Sequence, residues 1–303
     1  MRRLVLSLLA SAALAGCSTD FLPPSYLNDL RVLAVLADPL ELQVQAGAAP
    51  PSIALRPVVY PALTAVADVA QAWTFCPVSA GSAAGYACVE PECALSKPEG
   101  PLPVGADGSI DVTPDALAAC SPALGGSLPE GVPSPLTTYF RYSVTATTPA
   151  GSQSRVAVLE VPVWFGPPPA GYEINLPPAI QRVEIGTSVV FASDPTVPTQ
   201  QAPPLAQGGS LPVHVVIDPA SVQTYVDAAG VTRVETMTVD YYATAGRFAS
   251  DSATGLDTVV SLSGTDFTAA ELAAGVLQVY VVALDLRGGQ AVGGPFPVTI
   301  APP

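Results

Sequence analysis

The sequence predicts an all-β chain built as two tandem β-sandwiches, and three observations carry that expectation. Apolar and polar residues alternate with a period of two in short runs along the chain. Those runs are bounded by clusters drawn from 25 glycines and 34 prolines, the punctuation of strands and turns. A segment reading TPDALAAC, Thr113 to Cys120, has a counterpart reading TAAELAAG, Thr268 to Gly275, so the pattern is expected to occur twice.

Taken in chain order, Met1, Arg2 and Arg3 precede an apolar run from Leu4 to Leu14 and the small residues Ala15 and Gly16. Charged, apolar and cleavable regions in that order read as an export signal, residues 1–17. The run is too short to span a bilayer, and no later segment reaches that length. Leu14, Ala15, Gly16 and Cys17 together resemble the lipobox of bacterial lipoproteins. The resemblance implies cleavage before Cys17 and lipidation (palmitate among the acyl groups) of that residue, which anchors the chain to a membrane. Several acyl chains, at about 0.8 kcal/mol per buried methylene, make such an anchor stable. Ser18 is similar to the residue that sends Gram-negative lipoproteins to the outer membrane, where aspartate would favour inner-membrane retention. The implied address is the cell envelope, at the outer membrane, on its periplasmic or its cell-surface face. Residues 18–26 read as a tether of at most about 30 Å. It would keep the first domain near the membrane and leave the second pointing outward.

The 286 residues after the signal correspond to two domains at about 150 residues each: 27–165 and 179–303, joined by residues 166–178. In the first, Leu40, Leu42 and Val44 alternate with Glu41, Gln43 and Gln45, and Phe140, Tyr142, Val144 and Ala146 alternate with Arg141, Ser143, Thr145 and Thr147. In the second, Met237, Val239, Tyr241 and Ala243 oppose Thr236, Thr238, Asp240 and Tyr242. Each is the pattern of a half-buried strand whose polar residues face water. Both TPDALAAC and TAAELAAG read as one capped helical turn; in the second, Thr268 and Glu271 form a capping box and Gly275 suits a left-handed exit. A similar hairpin follows each, Tyr139 to Val163 and Leu277 to Ile300, with Gly151 and Gly288 at the turns. Between the copies, Pro167, Pro168 and Pro169 favour a stiff connector.

In each copy the order of strands, a helical turn and a final hairpin resembles the bacterial immunoglobulin-like superfamily. Trp73 (AQAWTF) and Tyr241 (VDYYAT) stand where a central-strand aromatic would fill the core. The inter-sheet cysteine pair of immunoglobulins is missing, so the resemblance is to architecture. Apart from Cys17 the cysteines are Cys76, Cys88, Cys93 and Cys120. An even number in an exported chain implies two disulfides, with three pairings open. A four-thiolate zinc site is the weaker reading, because no C-x-x-C knuckle is present and export exposes the thiols to oxidants. The stretch from about 76 to 135 is too long and too poor in pattern for an ordinary loop, so the disulfides are read as staples on an insertion.

Chemistry is sparse. The single histidine, His214, alternates with Val213, Val215 and Ile217 and reads as a solvent-facing strand residue, not as the base of a hydrolase. No nucleophile elbow, zinc-protease helix, phosphate loop or dinucleotide glycine pattern occurs. Without the signal, nine basic residues face 25 acidic ones, a net charge of −16 that repels nucleic acid and anionic lipid. No cofactor is expected. Besides zinc, calcium is a metal candidate, on Asp107 and Asp111 or on Asp251 and Asp257, the alternative being turns capped by their own aspartates. Trp164, Phe165 and Tyr172 around the connector are candidate partner contacts, the alternative being packing between the domains. The expected function is a non-enzymatic envelope module for binding, adhesion or assembly, with an envelope protein or polysaccharide as partner. Its rivals are a spacer that binds nothing and an accessory module for a polysaccharide-active enzyme.

Overall fold

The structure, a computed structural model, describes residues 23–44, 51–60, 68–84, 86–89, 92–95, 102, 104–105, 107–120, 135–148, 151–168, 170–227 and 230–301. The export signal, Cys17 and most of the tether lie outside the described residues. The first domain comprises β1 (Arg31–Asp38), β2 (Leu42–Val44), β3 (Ile53–Tyr60), β4 (Asp68–Cys76), β5 (Cys93–Ala94), β6 (Ile110–Val112), α1 (Pro114–Cys120), β7 (Leu136–Thr148) and β8 (Gly151–Phe165). The second comprises β9 (Ile180–Ile185), β10 (Ser188–Ala192), β11 (Leu205–Ala206), β12 (Ser210–Ile217), the hairpin β13 (Thr224–Val226) and β14 (Thr232–Val234), β15 (Thr238–Ala243), β16 (Arg247–Phe248), β17 (Ser252–Thr254), β18 (Asp257–Ser263), α2 (Ala269–Ala274), β19 (Val276–Leu284) and β20 (Gln290–Ala301).

The two copies share one topology. Sheets ordered β1-β3-β6 and β2-β8-β7-β4-β5 in the first domain correspond to β10-β9-β12-β18-β16 and β11-β20-β19-β15-β17 in the second. In both, the leading strand changes sheets, and its second part, β2 or β11, runs parallel to the last strand, β8 or β20. A short helix precedes the final hairpin each time. Two antiparallel sheets with this division of strands form the immunoglobulin-like sandwich. The fold is therefore all-β, as the alternation predicts.

Burial follows the pleat. Trp73 and Phe75 on β4 meet Tyr142 and Phe140 on β7, with ring centroids 4.9 and 4.8 Å apart, and the Trp73 indole N–H donates to the Gly108 carbonyl at 2.9 Å. In the second domain Tyr241 occupies the equivalent strand, fully buried, with its hydroxyl 2.7 Å from Thr258 Oγ1. The Trp73 indole and the Tyr241 hydroxyl are polar tips that burial obliges the fold to satisfy. The expected capping box on α2 forms between Thr268 and Glu271, and Gly275 exits at φ +70°.

The cysteines pair as Cys76–Cys88 and Cys93–Cys120. The stapled segment does more than decorate the sandwich. It supplies β5, which extends β4, β6, which extends β3 in the other sheet, and α1, whose Leu117 is buried in the core. β5 and β6 are two and three residues long, too short for a periodic pattern to register in sequence, whereas α1 is the helical turn that TPDALAAC predicts.

A third apolar cluster joins the domains: Leu27, Leu33, Ala34 and Tyr60 pack against Tyr280 and Val282. This corrects the expected arrangement of the tether. Its last residues run beside the second domain, with Leu27 N–H donating to the Ala243 carbonyl at 2.8 Å and Ala243 N–H to the Ser25 carbonyl at 2.9 Å. The Tyr26 hydroxyl donates to Glu271 at 2.9 Å. Leu27 is fully buried there, so the segment that leads into β1 touches the second domain first.

Candidate functional site

The site is built where the β19–β20 loop of the second domain reaches the first. Asp285 Oδ1 accepts the backbone N–H groups of Arg287 and Gly289 at 2.7 and 2.8 Å, which folds the loop tightly. The carboxyl is buried and pushed above the usual carboxylate range by desolvation, in part offset by those same N–H donors. Gly289 is required: a Cβ there would lie 2.0 Å from Asp285 Oδ2 and 3.0 Å from Leu40 of the first domain.

The turn aims Arg287 into the domain interface. Its Nη1 donates to Glu235 at 2.7 Å; its Nη2 donates to Glu41 at 3.2 Å, to the Tyr172 hydroxyl at 3.1 Å and to the Glu173 carbonyl at 2.8 Å. The guanidinium lies 4.2 Å from the Tyr225 ring centroid, a cation–π contact. Glu41 in turn accepts from the Trp164 indole at 2.8 Å, the Tyr172 hydroxyl at 2.7 Å and Asn175 N–H at 3.1 Å. Gln223 closes the network, its N–H donating to Glu235 and its side-chain amide to the Ile174 carbonyl, both at 2.9 Å. Burial works against the charge on Arg287, but Glu235, Tyr172 and Glu41 outweigh it and hold the guanidinium protonated. Tyr172 is pushed up to about 12 by burial and by its bond to the Glu41 carboxylate.

Beside this knot opens a crevice of about 450 Å³ between the domains, lined by Tyr86 and Glu160 of the first, Tyr172 of the connector, and Leu286, Arg287 and Gln290 of the second. Tyr86 lies inside the loop closed by Cys76–Cys88 and stands edge-on to Tyr139, centroids 6.3 Å apart. Tyr86 and Leu286 adopt φ of +60° and +62°, unusual for residues with bulky side chains. Left-handed backbone in such residues concentrates at functional positions. Leu286 is 69% exposed. Glu160 is half-buried, desolvation raises its carboxyl above the usual range, and no cation among the described residues pairs with it.

The residues singled out in sequence fall in several places. Trp164 is only 4% exposed, its indole held by Glu41 and its ring against Tyr172, which is the packing alternative. Phe165 packs partly buried against the first core. Tyr172 bridges knot and crevice. The connector is thus packed, with Asn175 buried, and does not act as a free spacer. Glu41 is corrected most sharply: alternation puts it on a solvent face, but β2 begins at Leu42, and the residue before it turns inward to the interface. His214 lies on the outward face of β12, as its alternation with the buried Val213, Val215 and Ile217 predicts, and its ring sits between Glu184 at 3.0 Å and Asp257 at 2.6 Å. Of the calcium candidates, Asp107 caps its own turn through Ser109 N–H and Oγ, and Asp257 holds His214. Among the described residues no three metal-ligating side chains converge. Sequence reasoning missed Arg287, Glu235 and Gln223. No local signal marks them, because Arg287 meets Glu41 across 246 positions.

No family model matches the chain, and no curated protein matches it. Among solved structures it is similar to the D00-D0 domain of intimin, at 9% identity over 90% of this chain and 99% of that one, with a TM-score of 0.23. It is similar to fibronectin(III)-like modules of Clostridium thermocellum CbhA, at 11% identity over 88% and 93%, TM-score 0.24. It is also similar to the titin Z1Z2 domains in complex with telethonin, at 12% identity over 89% and 98%, TM-score 0.21. The fold assignment rests on strand order and register within the chain itself.

Proposed function

We propose that this chain is a non-enzymatic cell-envelope lipoprotein, held at the outer membrane through lipid on Cys17, whose two sandwiches act as one rigid body and seat a partner in the crevice between them. The observation that carries the reading is the crevice wall. It combines an exposed Leu286 and a Tyr86 held in left-handed backbone with a buried, fully paired Arg287 that fixes the two sides relative to each other. A preorganised seat binds without the cost of ordering loops. The spacer reading accounts for the locked interface but gives no reason for an exposed leucine on a strained turn.

Two manipulations test the proposal. Cys17→Ser should move the protein from the membrane fraction to the soluble envelope fraction; persistent membrane association contradicts the anchor. Affinity capture from crosslinked envelopes should recover a partner with the wild-type chain that Leu286→Asp loses. Recovery that is unchanged in Leu286→Asp contradicts the crevice as the seat.

A further inference from the structure

The crevice and its base hold an unbalanced set of charges. Glu41 and Glu235 pair with the guanidinium of Arg287, and Glu160 lines the same crevice. Arg287 is already engaged by Glu41 and Glu235, which leaves Glu160 as a carboxylate without a described counter-ion. It is half-buried, and desolvation raises its carboxyl, so a cation brought beside it would favour the charged form. The crevice wall also carries the ring of Tyr86, whose face attracts cations; that of Tyr172 already meets Arg287 at 5.4 Å and Trp164 at 4.5 Å. The whole chain carries a net charge of −14, so the long-range field draws positively charged partners.

Resting on the reading of the crevice as a partner seat, we propose that it accepts a lysine or arginine side chain presented by a partner protein, with the cation over Tyr86 and against Glu160 and the neighbouring aliphatic stem on Leu286. The class follows from complementarity: an acidic occupant would meet the carboxylate of Glu160, and a neutral one would leave it without a described counter-ion. A primary ammonium or a guanidinium restores the balance and gains charge-assisted hydrogen bonds.

The test uses the full chain in detergent and a dye-labelled peptide with one lysine next to leucine in a glycine background, alongside its ε-acetyl counterpart and spermidine. Anisotropy should show the lysine peptide binding, the acetylated peptide at least tenfold weaker, and Glu160→Gln losing about tenfold for the lysine peptide with unchanged thermal unfolding. Tyr86→Leu, at a second position on the wall, should weaken binding as well. Equal binding of the acetylated peptide, no effect of Glu160→Gln, or no binding of the lysine peptide overturns the cationic assignment. Spermidine binding as tightly as the lysine peptide overturns the assignment to a protein side chain. In each case, capture of a partner that Leu286→Asp loses would leave the crevice reading standing. Capture that Leu286→Asp does not affect would remove that reading itself.

Discussion

Replacing Arg287 with methionine should loosen the two sandwiches from each other, and the structure sets the size of the effect. The side chains of Arg287, Glu41 and Glu235 are 9%, 3% and 0% exposed. The substitution leaves two carboxylates buried with no cation between them, and breaking a buried pair from one side costs about 3–5 kcal/mol. Neutralising the partners as well, with Glu41→Gln and Glu235→Gln, removes the stranded charges and should bring most of that loss back. What would remain is the deficit of imperfect hydrogen bonds, about 1–2 kcal/mol. Equilibrium urea unfolding followed by tryptophan fluorescence is the assay, since Trp164 sits on Glu41 and reports the interface. With a slope of about 2 kcal/mol/M, the single variant should unfold on the order of 2 M earlier than wild type, and the triple variant close to it. A loss below about 1 kcal/mol in Arg287→Met, or a triple variant as unstable as the single, would refute the idea that this ion pair locks the domains.

Other expectations follow from the same contacts. Burial opposes the charge on His214, but hydrogen bonds to Glu184 and Asp257 outweigh it and raise the imidazole pKa. The stabilisation is therefore complete below about pH 6.5 and lost as pH rises through the higher folded value. Urea midpoints between pH 5.5 and 8.5 should show this slope in wild type and not in His214→Gln; equal slopes would contradict it. Thr268→Ala removes the side-chain cap of α2 and should cost about 1 kcal/mol. Gly275→Ala should cost a similar amount, about 1 kcal/mol, from left-handed strain alone, since a Cβ there meets nothing within 4 Å; a neutral result in thermal unfolding would count against that cap. Removing Cys93–Cys120, which closes a 27-residue separation, should cost about 3.5 kcal/mol by chain entropy. Removing Cys76–Cys88 should cost about 3 kcal/mol and also weaken peptide binding, because Tyr86 lies within that loop.

The parts of this fold that were legible in sequence are those governed by neighbours along the chain. Alternation marks β7 and β15, because a strand half-buried on one face leaves a period of two, and the resemblance to immunoglobulin-like domains points to Trp73 and Tyr241 as the core aromatics. The cap of α2 is a four-residue motif and is read directly. The duplication is visible because the helical turn and hairpin are local units in both copies. What was not legible depends on pairings between distant segments. Glu41 looks like the polar member of an alternating run until Arg287 and Trp164 are brought to it. Tyr26 looks like a tether residue until Ala243 and Glu271 lie beside it. The crevice combines both difficulties: Tyr86 is held by a disulfide whose pairing sequence leaves open, and Leu286 stands out only through its backbone conformation.

The central claim, that the crevice seats a partner, is tested most directly by a photocrosslinking amino acid placed at position 286 and, as a control, at position 259 on the outer face of the second domain, where Val259 is also exposed. Irradiation of intact cells should give one discrete adduct from position 286 and none from position 259. The same adducts from both positions, or none from position 286 with the protein present at normal abundance, would contradict the account.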